Sequence, residues 1–142
     1  MAIDFINGIG ISDTKYKIHL CIHYYIKSMK HLDSYFSKSA KQMREDGGYE
    51  AIISACEALG KNTDLHVKNY GSGIEERLTG AHETEKYNTF SYGVSDRGAS
   101  VRIPWQVAVD KKGYLEDRRP NANGDPYVIA MLMIDTVCSA AS

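Results

Sequence analysis

Residues 113–120 read Gly113-Tyr-Leu-Glu-Asp-Arg-Arg-Pro120, and their alternation predicts a strand over Gly113 to Arg118. Successive side chains of a strand point to opposite faces. Tyr114, Glu116 and Arg118 then share one face, and Leu115, Asp117 and Arg119 the other. A face with an aromatic ring, a carboxylate and a guanidinium suits a nucleotide, a divalent metal and an anionic substrate. The plain alternative is an amphipathic edge strand whose Glu and Arg neutralise each other. On these residues alone the two readings weigh the same.

Working outward, Phe90 to Val94 and Ser100 to Pro104 are further strand candidates. Downstream, Asp125 suits an N-cap and Pro126 the first helical position. That helix runs to about Cys138, with Val128, Met131, Leu132 and Val137 as its buried stripe. Upstream, Gly47-Gly48 closes one unit, and Tyr49 to Leu59 places Ile52, Ile53, Cys56 and Leu59 at helical spacing before Gly71 and Gly73 break the chain again. Near the start, Ile18, Ile22, Tyr25, Ile26 and Met29 also favour one helix face, one that would drive self-association if left uncovered. His19 and His23 on it are spaced for a metal, but no third ligand is placed to help and a half-buried helix accounts for them better. The expected fold class is α+β, with helices packed on one side of an antiparallel sheet.

The 142 residues fit one domain, and 43% hydrophobic with 25% charged residues is the composition of a globular chain. A formal net charge of -1 gives no argument for nucleic acid or an acidic membrane. Cys21, Cys56 and Cys138 are odd in number and far apart, which reads as reduced thiols in the cytoplasm. The apolar run Ile18 to Ile26 is broken by His19 and His23, is too short to span a bilayer and lacks a signal-peptide cleavage site. A soluble cytoplasmic protein without a nucleic-acid or membrane partner is expected.

Anion chemistry must then come from local clustering. Arg77, Arg97, Arg102, Arg118 and Arg119 each lie beside glycines or at a strand candidate. Guanidinium forks bind carboxylate and phosphate oxygens in pairs, and several on adjacent strands make a concave anion site. For a generic domain the simpler reading is solvation, or pairing with Glu75, Glu76, Glu85, Asp96 and Asp117. In Gly80-Ala81-His82-Glu83-Thr84 an acid and an imidazole stand side by side on a loop, where a carboxylate could serve as base and lid.

Four segments occur in one order: Met43-Arg-Glu-Asp-Gly-Gly48; Arg77-Leu-Thr-Gly80 with His82-Glu83-Thr84; Gly93-Val-Ser-Asp-Arg-Gly-Ala-Ser-Val-Arg-Ile-Pro104; and Lys112-Gly-Tyr-Leu-Glu-Asp-Arg-Arg-Pro-Asn-Ala-Asn123 with Asp125-Pro126-Tyr127. Their order and spacing resemble the C-terminal catalytic portion of eukaryotic-type glutamine synthetases over about residues 36–138. The resemblance implies an ATP-dependent glutamate–ammonia ligase of glutamine biosynthesis. ATP phosphorylates the side-chain carboxylate of glutamate, and ammonia displaces the phosphate. By position Arg77, Arg97 and Arg118 resemble residues that hold glutamate. Arg97, Arg102 and the Tyr114–Leu115–Glu116 run resemble ATP-binding positions. Glu116 resembles a ligand of Mg2+ or Mn2+, Glu83 the flap carboxylate that takes a proton from ammonium, and Glu83, Arg97 and Arg118 the catalytic set.

Residues 1–35 do not match the family, and 36–142 correspond to the C-terminal part of its catalytic domain. The family's N-terminal β-grasp domain and upstream metal-binding glutamates have no counterpart. Asn7-Gly8-Ile9-Gly10 resembles the start of a metal-binding motif, but Ser12 stands where its His belongs; His31 and Asp33 lie near the expected distance without matching flanks. Glu116 alone does not supply the oxygens that two or more divalent cations need. The isolated chain is therefore expected to be an inactive fragment, partnered by copies of itself or by full-length subunits of a ring. The alternative is a non-catalytic subunit that modulates a full-length enzyme. A guanidino-kinase-like phosphotransferase, related in fold, lacks the His-Glu-Thr flap and the run at 114–120.

Overall fold

Apolar side chains three and four residues apart line one stripe of a helix. Ile52, Ala55, Cys56 and Leu59 follow that rule, and all four are buried in helix α2 (Gly48–Lys61). A computed structural model of the chain describes residues 19–23, 35–39 and 41–139. Helix α2 starts beside a close approach of main chain. A side chain at Gly48 would run into the carbonyl oxygens of Gln42 and Met43 in the preceding turn, helix α1 (Lys41–Arg44), which only glycine permits.

The strands are β1 (His19–His23), β2 (Tyr35–Ser39), β3 (Tyr92–Val94), β4 (Val101–Ile103) and β5 (Leu115–Asp117). They form one sheet in the order β1-β2-β5-β4-β3, so β5 is central. Pairs β1·β2, β2·β5 and β4·β5 are antiparallel, while β3·β4 is parallel. The class is α+β, but the sheet is mixed rather than antiparallel throughout. A parallel pair ordinarily needs a crossover of a dozen or more residues. Here each strand is three residues long, so residues 95–100 retrace the short distance back. Ser95, at φ 56, turns the chain and donates its N–H to the Ile103 carbonyl at 2.8 Å.

Three further short helices, α3 (Thr63–Asn69), α4 (Ile74–Arg77) and α5 (Trp105–Asp110), fill the connections, and α6 (Pro126–Ser139) closes the fold. The Asp125 carboxylate accepts the N–H groups of Tyr127 at 2.8 Å and Val128 at 3.4 Å, the N-cap expected for α6. Its buried residues are Ile129, Ala130, Leu132, Met133, Ile134, Thr136 and Val137; Met131 is 39% exposed and Val128 half-buried. Nearly every side of α6 is apolar, so periodicity alone did not choose the face that packs. The helix expected around Ile18 to Met29 is a strand at His19–His23. The rest of that stretch, with Asn7 to Gly10, Ser12, His31 and Asp33, lies outside the described residues.

One core joins Met43, the α2 stripe, Val101, Ile103, Val107, Leu115, Met133 and Val137. A second gathers Tyr70, Ile74, Leu78, Ile129 and Leu132. The turn entering β5 is clamped to α1 and α2. Gly113 donates its N–H to the Met43 carbonyl at 2.6 Å, Tyr49 to that of Lys111 at 2.9 Å, and Lys112 pairs with Asp46 at 2.6 Å.

Beside the cores lies an ion pair. Strand alternation carries Asp117 and Arg119 inward with Leu115, and their residual exposures of 0% and 1% mark full burial. Arg119 Nε donates to Asp117 Oδ1 and Nη2 to Oδ2, each at 2.8 Å. The Tyr70 hydroxyl donates to Oδ2 at 2.8 Å. With that proton committed, the Tyr70 oxygen accepts from His66 Nδ1–H, and His66 Nε2 shares a hydrogen bond with the Thr136 hydroxyl at 2.7 Å. The network ties β5 to α3 and α6. Burial works to raise the Asp117 carboxyl, but the Arg119 charge and the Arg119 and Tyr70 hydrogen bonds outweigh it and hold the carboxyl below its usual range. Burial and the Asp117 charge together push the Tyr70 phenol well above its ordinary value. Burial, then Asp117 and Glu57, pushes the Cys56 thiol up to about 12, so it is an inert core residue.

Removing one partner of a buried pair strands the other. Arg119→Met is expected to lose about 3–5 kcal/mol in urea unfolding, and adding Asp117→Leu to cost less than the sum of the single changes. Since the folded Asp117 carboxyl is depressed below the unfolded value of about 3.9, its contribution is complete above that pH. It falls away as pH drops through the lower, folded value. Urea titrations between neutral pH and pH 2 measure this slope, and Asp117→Asn removes its share.

Candidate active site

The sheet face turned away from the core carries the opposite half of each alternation. On β4, Val101 and Ile103 are buried inward, leaving Arg102 on the other face. On β5 the inward residues are Leu115 and Asp117, which leaves Glu116 outward. Arg102 and Glu116 are direct cross-strand partners. Arg102 Nη1 donates to Glu116 Oε2 at 3.0 Å, with the two side chains 26% and 12% exposed. Arg102 Nε is buried with no hydrogen-bond partner in the described structure.

Arg118 leaves β5 with its N–H on the Ser100 carbonyl at 2.9 Å. Its Nη2 reaches the Glu83 carbonyl at 3.5 Å. Arg77, at the end of α4, donates Nη1 to the carbonyls of Arg118 at 2.9 Å and Arg119 at 3.3 Å, and so clasps the main chain that carries Arg118.

Glu83 sits on a loop closed at its base by a bridge between Thr79 and Lys86. The Thr84 hydroxyl donates to the Ala81 carbonyl at 2.7 Å across the tip. His82 and Glu83 have φ of 53 and 63, left-handed values that side chains rarely adopt. The Glu83 carboxylate lies 3.9 Å from Arg97 Nη1, with side-chain exposures of 62% and 67%. Such an exposed pair contributes under about 1 kcal/mol and opens readily. Arg97 is carried on the return loop between β3 and β4, where Asp96 Oδ1 accepts the Gly98 N–H at 2.8 Å.

Contacts thus run from Arg97 through Glu83 and Arg118 to Arg77, and Arg102 with Glu116 adjoins them through the alternation of β5. Tyr114, 36% exposed, falls on that outward parity. Leu115 stands apart: its side chain is fully buried, so only its backbone is oriented by the strand toward this region. Arg119 is the arginine that takes the simpler reading, paired with Asp117, although in the core rather than in solvent. The edge-strand alternative fails on position, since β5 is central, yet Glu116 does pair with an arginine, the one on β4. Tyr70, His66 and Thr136, which fix the inward side of β5, were not indicated by spacing. They lie 47 residues apart in the Tyr70–Asp117 contact and 70 apart in the His66–Thr136 contact.

Arg77, Arg97, Arg102 and Arg118 against Glu83 and Glu116 leave an excess of two positive charges, four less two, suited to a polyanion. A divalent cation is another matter, since it wants six or more oxygens. Among the described residues no group of three or more His, Cys, Asp or Glu is placed to hold a metal. Glu116, the carboxylate on β5 that faces outward, is engaged by Arg102. These residues do not by themselves make a divalent-cation site.

No family model matches the chain. It is 65% identical over 103 residues to a glutamine synthetase of Streptomyces hygroscopicus, covering 71% of this chain and 30% of that protein. A Frankia alni glutamine synthetase is 63% identical over 102 residues, 72% of this chain and 28% of the relative. A glutamine synthetase cytosolic isozyme of Medicago sativa is 54% identical over 98 residues, 69% of this chain and 28% of the relative. The chain thus spans under a third of the length of the relatives it matches. Identity at this level, over the greater part of the chain and with more than one such relative, shows that the chain belongs to the glutamine synthetase family.

Proposed function

We propose that the chain carries one side of a glutamate–ammonia ligase site, the side that handles glutamate and the ATP phosphates. The convergence of Arg77, Arg97 and Arg118 around the Glu83 loop supports this most directly. Arg77, Arg97 and Arg118 take the carboxylates of glutamate. Arg97 and Arg102 take phosphate oxygens of ATP, whose remainder lies along the backbone of Tyr114, Leu115 and Glu116. Charge develops on the phosphoryl group as it passes to the glutamate side chain, and fixed guanidiniums stabilise that charge without having to reorganise. Ammonia then displaces the phosphate. Glu83 in its loop is suited to take the proton from ammonium, since opening the weak Arg97 contact frees its carboxylate. With Arg97 and Arg118 acting on the transferring group, these three form the catalytic set.

Mg2+ or Mn2+ belongs to the chemistry of such a ligase, but its oxygen ligands must come largely from outside the described residues. The other partners we propose are copies of the chain or full-length synthetase subunits, in the cytoplasm, as the name of the alfalfa relative says of that protein. A modulating subunit without activity of its own is the second reading, favoured because no group of three or more His, Cys, Asp or Glu among the described residues is placed to hold a metal.

With glutamate, ATP, ammonia and magnesium the purified chain is expected to form negligible glutamine, and robust formation would overturn its role as one half of a site. Tripolyphosphate binding by calorimetry tests the arginine face itself. Arg97→Met and Arg118→Met are each expected to weaken it about tenfold, the loss of one charge-assisted hydrogen bond. Co-elution with a full-length synthetase without added turnover would favour the modulating subunit.

A further inference from the structure

Glu116 occupies an unusual position for a residue that would serve a cation. It sits in the middle of a three-residue strand flanked on both sides, so its backbone has no freedom to swing. Directly across β4·β5, Arg102 meets it at 3.0 Å. With the side chain only 12% exposed, little of the carboxylate is open to an ion and the waters that accompany it.

Arg102 shows the complementary side. A guanidinium has five N–H groups in a fixed fork. The hydrogen bond to Glu116 uses Nη1, and Nε is buried without a partner in the described structure. Holding one nitrogen fixes the plane of the fork and directs the remaining donors. A dication placed at Glu116 would have to displace Arg102 and then stand beside its positive charge.

We infer that Glu116 is a positioning residue that orients Arg102 toward a phosphate oxygen, and not a divalent-cation ligand, so that this face takes polyphosphate without a metal. The inference rests on the proposed phosphate-handling role of the face and deepens it. It also has a signature that charge alone does not. Neutralising Glu116 makes the face more positive and, by Coulomb attraction, tightens anion binding. If Glu116 orients the fork, the same change loosens binding.

The experiment uses the full chain labelled with 15N, in wild type, Glu116→Gln and Arg102→Lys, titrated with tripolyphosphate in EDTA and separately with Mn2+. In wild type, tripolyphosphate is expected to shift the Arg102 Nε–H resonance, while Mn2+ leaves residues 114–118 and Arg102 unbroadened. Glu116→Gln is expected to weaken tripolyphosphate about fivefold or more, and Arg102→Lys likewise, because lysine lacks the fork. Mn2+ broadening centred on Glu116 in wild type overturns the inference, and that arm needs no variant to fold. Tighter tripolyphosphate binding by Glu116→Gln overturns it too. Should tripolyphosphate move none of Arg77, Arg97, Arg102 and Arg118, the phosphate face itself is refuted and the orienting role loses its basis. That result is told apart from the other two by its spread over all four arginines.

Discussion

The buried pair of Asp117 and Arg119 is the constraint around which the described fold is arranged. A charge in the interior persists only when paired and hydrogen-bonded. Here both Asp117 oxygens are used, by Arg119 on two edges and by Tyr70 on one. Because the pair lies on β5 and just beyond it, while Thr63 of α3 and Tyr70 at its end bond it directly and His66 carries the network on to Thr136 of α6, it fixes the rotation of the central strand. Once Asp117 and Arg119 face inward, Glu116 and Arg118 face outward, and the functional surface follows from the core.

The outward face is ordered by a second layer of contacts. Arg77 grips the main-chain carbonyls at 118 and 119 rather than offering itself wholly to solvent. Glu116 holds Arg102 across the strands. The Glu83 loop, by contrast, touches Arg97 only at 3.9 Å in the open. Arg77 and Arg102 are thus held in place beside a loosely held carboxylate, which fits the proposed phosphoryl-transfer role.

Charge balance supports the proposal that this surface is one side of a larger site. An excess of guanidinium groups serves anions but repels cations, and no cluster of carboxylates among the described residues offsets it. The chain spans under a third of the relatives it matches. The proposed ligase reaction, which needs both polyanion and dication, would then draw its carboxylates from outside the described residues.

Much of this was legible in the chain itself. Alternation at 114–119 assigned each side chain to its face, and Asp125-Pro126 marked the start of α6, because period and capping are local rules. The strand at His19–His23 was read as helix, since five residues with apolar spacing fit either period. Helices α3, α4 and α5 are four to seven residues long, too short for a stripe to repeat. Met131 was placed inward on a helix that is apolar nearly all round, where only packing against α2 and α3 selects a face. Sequence determined the parity of β5, the arginine positions and the family. Tertiary structure alone decided that Arg119 belongs to the core, that Glu116 belongs to Arg102, and that β3 runs parallel to β4. Each of those depends on which segment lies alongside: Arg102 and Glu116 are 14 residues apart, β3 and β4 pair across a short loop, and the Tyr70–Asp117 and His66–Thr136 contacts span 47 and 70 residues, none of which leaves a periodic trace in the chain.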